Sequence, residues 1–369
     1  MQLCGFPAAE VEFDRAGAVV GDRGAAVREL AADPAVTDLV VLCHGWNNDH
    51  LIARLLYSAL AGSMRAVAGP GHGVGFACVL WPSRKIAGVE TGASLDERLD
   101  QLRDLVPEQR LTIDAAAGLV PALPARATAR TAFAAALLSV ASRGADDRED
   151  ASAQLFGLPG GTVMDRLGAP DLLDFLAYYE MKVRAGTVGE RGLAPFLATL
   201  TRPKIHLVGH SFGGRLVTAA ANARPAGSLA TLTLLQAAFS HHGFAADWGG
   251  GEPGAFRRVL EERVVTGPIL VTHTANDLAV GVAYAIASRI AGQTASLTGD
   301  ASSPYGGMGR NGAQRTAEAV TGELFPVSGT YHWRPGVPHN LRADRFVRAH
   351  TDVTGPQIAH ALWSAIAAS

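Results

Sequence analysis

Residues 207–214 read Leu-Val-Gly-His-Ser-Phe-Gly-Gly, so that a serine, Ser211, has glycine two places before it (Gly209) and two places after it (Gly213). A serine hydroxyl is inert at its free pKa and becomes a nucleophile only where the backbone exposes it beside a base. A strand that runs straight into a helix gives that exposure, and its sharp turn leaves no room for a Cβ at the flanking positions. The surroundings suit such an elbow: Ile205, Leu207 and Val208 precede it as an apolar strand, and Leu216-Val217-Thr218-Ala219-Ala220-Ala221 follows as a helix. A plain Gly/Ser turn is the competing reading. Strand, elbow and helix in that order favour the nucleophile.

A nucleophilic serine needs a base, an acid that orients the base, and two backbone N–H groups aimed at the developing oxyanion. In sheet enzymes with this elbow the chain order is serine, acid, histidine. The acid belongs just past the strand expected at Pro268 to Thr272, and Asp277 stands there, although an Asp after a strand is also a common turn residue or helix cap. Asp247 and Asp300 are its rivals. Of the twelve histidines, His332, His339 and His350 come late enough. His350 stands just before Thr354-Gly355-Pro356-Gln357, where a Thr cap, an early proline and Gln at the capping-box position open a helix carrying Ile358, Leu362 and Ile366. It is the preferred base, His332 is the alternative, and His339 reads as a loop residue. Phe212, next to the nucleophile, supplies one oxyanion donor. Trp46, after the tight Gly45 turn, supplies the other. His44, Asn47 and His210 flank these donors and are the candidates to touch substrate, although His210, held inside the elbow, is better placed to pack than to react.

The elements that must carry these residues alternate. Apolar runs Asp38–Cys43, Gly75–Trp81, Lys204–Val208, Thr231–Leu235 and Pro268–Thr272 read as parallel strands, with helices between them. The clearest helix follows the first run, with Ile52, Leu55, Leu56, Ala59, Leu60, Met64 and Val67 at helical spacing behind the cap candidates Asn48 and Asp49. Such alternation implies an α/β protein with helices on both faces of a mostly parallel sheet. Residues 84–203 exceed one crossover. The pattern Leu172, Leu176, Tyr179, Val183 supplies the crossover helix, which leaves 84–170 as a helical insertion between two core segments, 1–83 and 171–369. Leu95–Leu105 and residues 125–141 are its best helices, broken by Pro107, Pro121 and Pro124. Apolar side chains around Leu119, Val120, Phe133, Leu137 and Leu138 suit either a lid over substrate or ordinary packing on the sheet's flank.

Strand then His44-Gly45, the segment Gly209 to Gly213, Asp277 and a late His350 together resemble the alpha/beta hydrolase superfamily over nearly the whole chain. Within it, His44-Gly45-Trp46-Asn47 and Leu80-Trp81-Pro82-Ser83 are similar to a bacterial group of serine hydrolases of mostly unassigned substrate. The resemblance implies a sheet of about eight strands, attack by Ser211, His350 as base and then acid, and Asp277 holding the imidazole. It implies an esterase working through an acyl-enzyme, without metal or cofactor, on a small-molecule or lipid-like ester. Amide or thioester cleavage or acyl transfer would use the same triad, and a non-catalytic binding module could keep the same scaffold. The large insertion departs from the pattern.

Composition narrows the classes. Over 369 residues, 48% hydrophobic and 18% charged residues describe a globular chain, and a net charge of −2 without a basic run argues against nucleic acid. Gly307 to Gly312 matches G-x-G-x-x-G but follows a Ser/Pro/Tyr loop rather than a strand, so it is not read as a dinucleotide site. His241-His242 lacks zinc-motif partners and is read as loop or pocket lining. Three cysteines cannot build a disulfide framework. The amino terminus lacks a charged n-region and an apolar h-region, and no apolar stretch reaches membrane-spanning length, so a cytoplasmic protein is expected, with homo-oligomerisation left open.

Overall fold

The computed structural model describes residues 1–68, 73–83, 92–141, 149, 156–249, 251–278 and 306–369. Among the described residues one sheet holds nine strands: β1 (Gln2–Leu3), β2 (Phe6–Glu12), β3 (Asp38–Cys43), β4 (Val74–Leu80), β5 (Lys204–His210), β6 (Thr231–Leu235), β7 (Ile269–His273), β8 (Val320–Glu323) and β9 (Pro338–Arg342), in the order β1-β2-β4-β3-β5-β6-β7-β9-β8. Only β1 runs antiparallel to its neighbour; every other pair is parallel. The central strands are buried on both faces, which is why they read as unbroken apolar runs.

Helices cover both faces. One face carries α1 (Ala25–Ala32), and the other carries α2 (His50–Ala68). Between β4 and β5 come α3 (Leu95–Leu105), α4 (Arg110–Ala117), α5 (Ala127–Ser139), α6 (Gly160–Thr187) and α7 (Ala194–Ala198). The elbow opens α8 (Phe212–Asn222); α9 (Arg258–Glu261), α10 (Met308–Asn311) and α11 (Pro356–Ala367) follow.

Several local expectations change. In α2 Asp49 caps the helix, its carboxylate accepting from the Ile52 N–H at 2.8 Å. The buried stripe, however, is Ala53, Tyr57, Leu60, Ala61 and Met64, leaving Ile52 and Leu55 exposed. Small Ala53 and Ala61 let the helix approach the sheet, and Tyr57 turns inward to bond to main-chain groups of His44 and Val79. By length and composition α2 is also apolar enough to cross a membrane, yet its buried stripe packs on the sheet. The cap of α11 is Gly355 with no side-chain bond, not Thr354, whose carbonyl instead accepts from Ser63 Oγ at 2.6 Å. His339 is not in a loop but in β9, held as strand by β7 and β8 on either side.

The boundary drawn at residue 170 falls inside α6, at a kink where Gly168 has φ 73° and Pro170 follows. Beyond it Leu172, Leu176 and Tyr179 are buried in a cluster that continues through α3, α4 and α5 on one side and the sheet on the other. Phe133 and Leu137 of α5 are wholly buried in that cluster.

Candidate active site

In a parallel sheet the loops at the carboxyl ends of the strands share one edge, and ligands collect there. The exits of β3, β4, β5, β6, β7 and β9 meet at this edge. Ser211, between β5 and α8, has φ 56° and ψ −124°, a strained backbone for a residue with a side chain. Glycine is required on both sides by close approach. A Cβ on Gly209 would overlap the Gly213 carbonyl, and one on Gly213 would overlap that of Cys43. The β6 exit clamps the elbow, since the Ser211 N–H donates to the Leu235 carbonyl and the Ala238 N–H to the Ser211 carbonyl, both at 3.0 Å. Gln236 between them is itself left-handed, with φ 44°.

His350 bridges the other two groups: its Nε2 lies 2.8 Å from Ser211 Oγ and its Nδ1 2.8 Å from Asp277 Oδ2. Asp277 is completely buried and His350 partly so. A buried carboxylate beside Nδ1 fixes that nitrogen as the proton carrier, so Nε2 presents its lone pair to the serine hydroxyl. The acid-bearing turn is tied to the chain leading to His350. Asn276 Nδ2 donates to the Val347 carbonyl at 2.9 Å, while Asp344 accepts from Thr274 Oγ1 and from the Ala275 N–H at 2.8 and 2.9 Å.

Gly45 presses against Ser211, for a Cβ there would lie 2.7 Å from that of Ser211. This brings the Gly45–Trp46 peptide to the serine from one side, while Phe212 opens α8 on the other, where helix N–H groups lack partners within the helix and the dipole favours negative charge. Trp46, Phe212 and Tyr178 of α6 form an aromatic group, with ring centroids 5.9 Å apart for Trp46–Phe212, 6.4 Å for Trp46–Tyr178 and 5.2 Å for Tyr178–Phe212.

The loop carrying Trp46 is braced from behind. The His44 N–H donates to Tyr57 Oη at 2.8 Å, and that hydroxyl donates to the Val79 carbonyl at 2.5 Å. The Trp81 indole donates to the His44 carbonyl at 2.9 Å, and the Asn47 N–H to the Ser83 carbonyl at 2.7 Å. The His44 ring stacks on Trp81, contacts the Gly45 carbonyl through Nδ1 at 3.0 Å, and accepts the Trp81 N–H at Nε2. Burial pushes its pKa down to about 4, so it is a neutral brace. His44 is therefore buried in the scaffold rather than offered to substrate. His210 likewise lies beneath His350, its Nε2 2.9 Å from the His350 carbonyl. Asn47 alone of the three is exposed, with φ 62°.

The rivals stand elsewhere. His332 is exposed in the loop between β8 and β9, and the imidazole at Ser211 is that of His350. Asp247 accepts from the N–H groups of Gly249 and Gly251 in its own turn, and Asp300 lies outside the described residues. His241 and His242 are buried with their Nε2 atoms 3.0 Å apart, and among the described residues no group of three His, Cys, Asp or Glu could hold a metal. Of the glycines in 307–312, Gly309 lies against the Gln236 backbone and Gly312 against the Asn340 side chain. Sequence reasoning missed Tyr57, Tyr178, Asn276 and Asp344. Of the bracing residues, Trp81 and Ser83 had a signal, in Leu80-Trp81-Pro82-Ser83.

Comparison of the chain with protein-family models, with curated proteins and with solved structures finds no match. The functional reading therefore rests on the chemistry of the site.

Proposed function

We propose that the chain is a serine hydrolase of the alpha/beta hydrolase type that cleaves a carboxylic ester through an acyl-enzyme. The observation that carries this reading is the single imidazole placed 2.8 Å from both Ser211 Oγ and Asp277 Oδ2. His350 takes the hydroxyl proton as Ser211 attacks the ester carbonyl, and buried Asp277 stabilises the imidazolium. The N–H groups of Phe212 and Trp46 receive the oxyanion; one such donor is worth about 3–4 kcal/mol in other serine hydrolases. The imidazolium then protonates the leaving alcohol, and water, activated by the same imidazole, releases the acid. The aromatic group at Trp46, Tyr178 and Phe212 supports an apolar ester as substrate, because it gives an apolar wall beside the oxyanion donors. The mostly parallel sheet, with its nucleophile, acid and base on loops at one edge in that chain order, supports the alpha/beta hydrolase type.

A panel of p-nitrophenyl esters of increasing acyl length, run beside the matching amides, tests this. Ester turnover that disappears in Ser211→Ala is expected. Absence of ester turnover in the wild type, or more than about a tenth of it surviving in the variant, overturns the assignment.

A further inference from the structure

His210 fills the variable place in Gly-x-Ser-x-Gly, next to the nucleophile, and its ring lies against that of His350 with centroids 4.8 Å apart. Its Nε2 is 2.9 Å from the His350 main-chain oxygen. A carbonyl only accepts, so Nε2 carries the proton and Nδ1 the lone pair; Nδ1 is buried and has no partner. Among the described residues this is the hydrogen bond that holds the main chain of His350. Its neighbours are held separately: the Asp352 N–H donates to the Ala349 carbonyl at 3.1 Å and the Val353 N–H to the Thr351 carbonyl at 3.0 Å, Asp352 accepts from the Arg348 N–H at 3.1 Å, Asn276 Nδ2 donates to the Val347 carbonyl at 2.9 Å, and Ser63 Oγ donates to the Thr354 carbonyl at 2.6 Å. Beneath the loop Val347 and Val353 are buried in the core, and the gap between Val353, His210, Leu42, Tyr57, Leu60 and Leu235 is only about 10 Å³, no more than one water.

We propose that His210 is a positioning residue: its Nε2–H, donated to the His350 carbonyl, sets the reach of the His350 ring to Ser211. The inference rests on the reading of Ser211, His350 and Asp277 as a hydrolytic triad. His210 suits the task because burial, and then the neighbouring His350, push its pKa down to about 3. It stays neutral while His350 gains and loses its proton, so the bond persists through the cycle.

The test separates the donor from the ring. His210→Phe keeps an aromatic ring without a donor, and His210→Gln places an amide N–H where Nε2 stands. In folded protein His210→Phe should lower kcat about 10- to 100-fold with KM within about twofold, the loss typical of a displaced catalytic group, while His210→Gln restores most of kcat. Wild-type kcat in the Phe variant, or equal losses in both, overturns the proposal. Should the Phe variant not fold, His210→Asn, whose amide falls short of the carbonyl, replaces it with the same expected outcomes. Nitrogen-15 spectra of selectively labelled wild-type histidines give an answer without catalysis: His210 must be the Nε2–H tautomer, and the Nδ1–H tautomer contradicts the bond. Failure of a fluorophosphonate to label wild-type Ser211 would refute the hydrolase reading, and the tautomer would still decide the placement of His210.

Discussion

Around Ser211 the protein buries polar atoms in bent backbone, whereas where α5 meets α6 it buries the side chains of Phe133, Ala134 and Leu137 in regular helix. Both regions are solvent-poor, and they differ in what a lost group leaves behind. At the carboxyl edge hydrogen bonds orient the rings and hydroxyl that frame Ser211: His350 by Asp277, His44 by Trp81 and Gly45, Tyr57 by Val79. In the α5–α6 contact the side chains are held by shape. Removing a group from the first should change the chemistry with little effect on folding, and removing one from the second should do the reverse.

The largest expected effect is Ser211→Ala, which should lower kcat by about four to six orders of magnitude without a change in melting temperature; His350→Ala should match it because the two act as one unit. His332→Ala, in the exposed loop between β8 and β9, should leave kcat unchanged. Steady-state kinetics beside thermal unfolding checks all three. Loss of stability in Ser211→Ala comparable to a core substitution would erase the contrast between the regions.

Next in size is Phe133→Ala, which should destabilise the protein by about 3–5 kcal/mol through the cavity it leaves, while the folded fraction keeps its kcat and its KM for short and long esters alike. Urea unfolding and ester kinetics on one preparation measure both. A KM raised only for long-chain esters would turn the insertion into part of the substrate site.

A third effect sharpens the polar side. His44 and His210 are held neutral by burial, with pKa values near 4 and 3, against about 6.5 in an unfolded chain. Their folded pKa is depressed, so the neutral folded state is favoured above pH 6.5, and this contribution is lost as pH falls from there toward 4 and 3. Urea midpoints should fall between pH 7 and pH 5, and less steeply in His210→Phe. A flat midpoint across that range would mean that these rings are not shielded.

The smallest is Ser83→Ala. Its hydroxyl donates to the Asn48 carbonyl at 2.8 Å, so its loss should slacken the Trp46 loop and lower kcat about threefold to tenfold, a single neutral hydrogen bond's worth. Unchanged kcat would show that the brace is the Trp81 indole and the main chain alone.

What the sequence reveals follows the range of the forces involved. The elbow is legible because its glycines answer clashes within a few residues, and Asp277 because a strand run precedes it. His350 stands out because it precedes a helix start. Strand β9 is not legible: Pro-His-Asn-Leu-Arg is strand only because β7 and β8 flank it. The role of His44 escapes for the same reason, since a histidine at the motif reads as a ligand contact until Trp81 stands beside it; the packing place of His210 is legible from the elbow, but not its bond to the His350 carbonyl. Tyr57, Tyr178, Asn276 and Asp344 act on partners distant in sequence and carry no local pattern. Helix α2 shows the limit of periodicity, for its spacing announces a helix but not which face Tyr57 turns to the sheet.

Labelling with an active-site-directed fluorophosphonate, followed by peptide mapping, tests the central claim most directly. The geometry predicts one covalent adduct, on Ser211, formed rapidly in the wild type and lost in both Ser211→Ala and His350→Ala. No adduct in the folded wild type, or an adduct on another serine that survives His350→Ala, would contradict it.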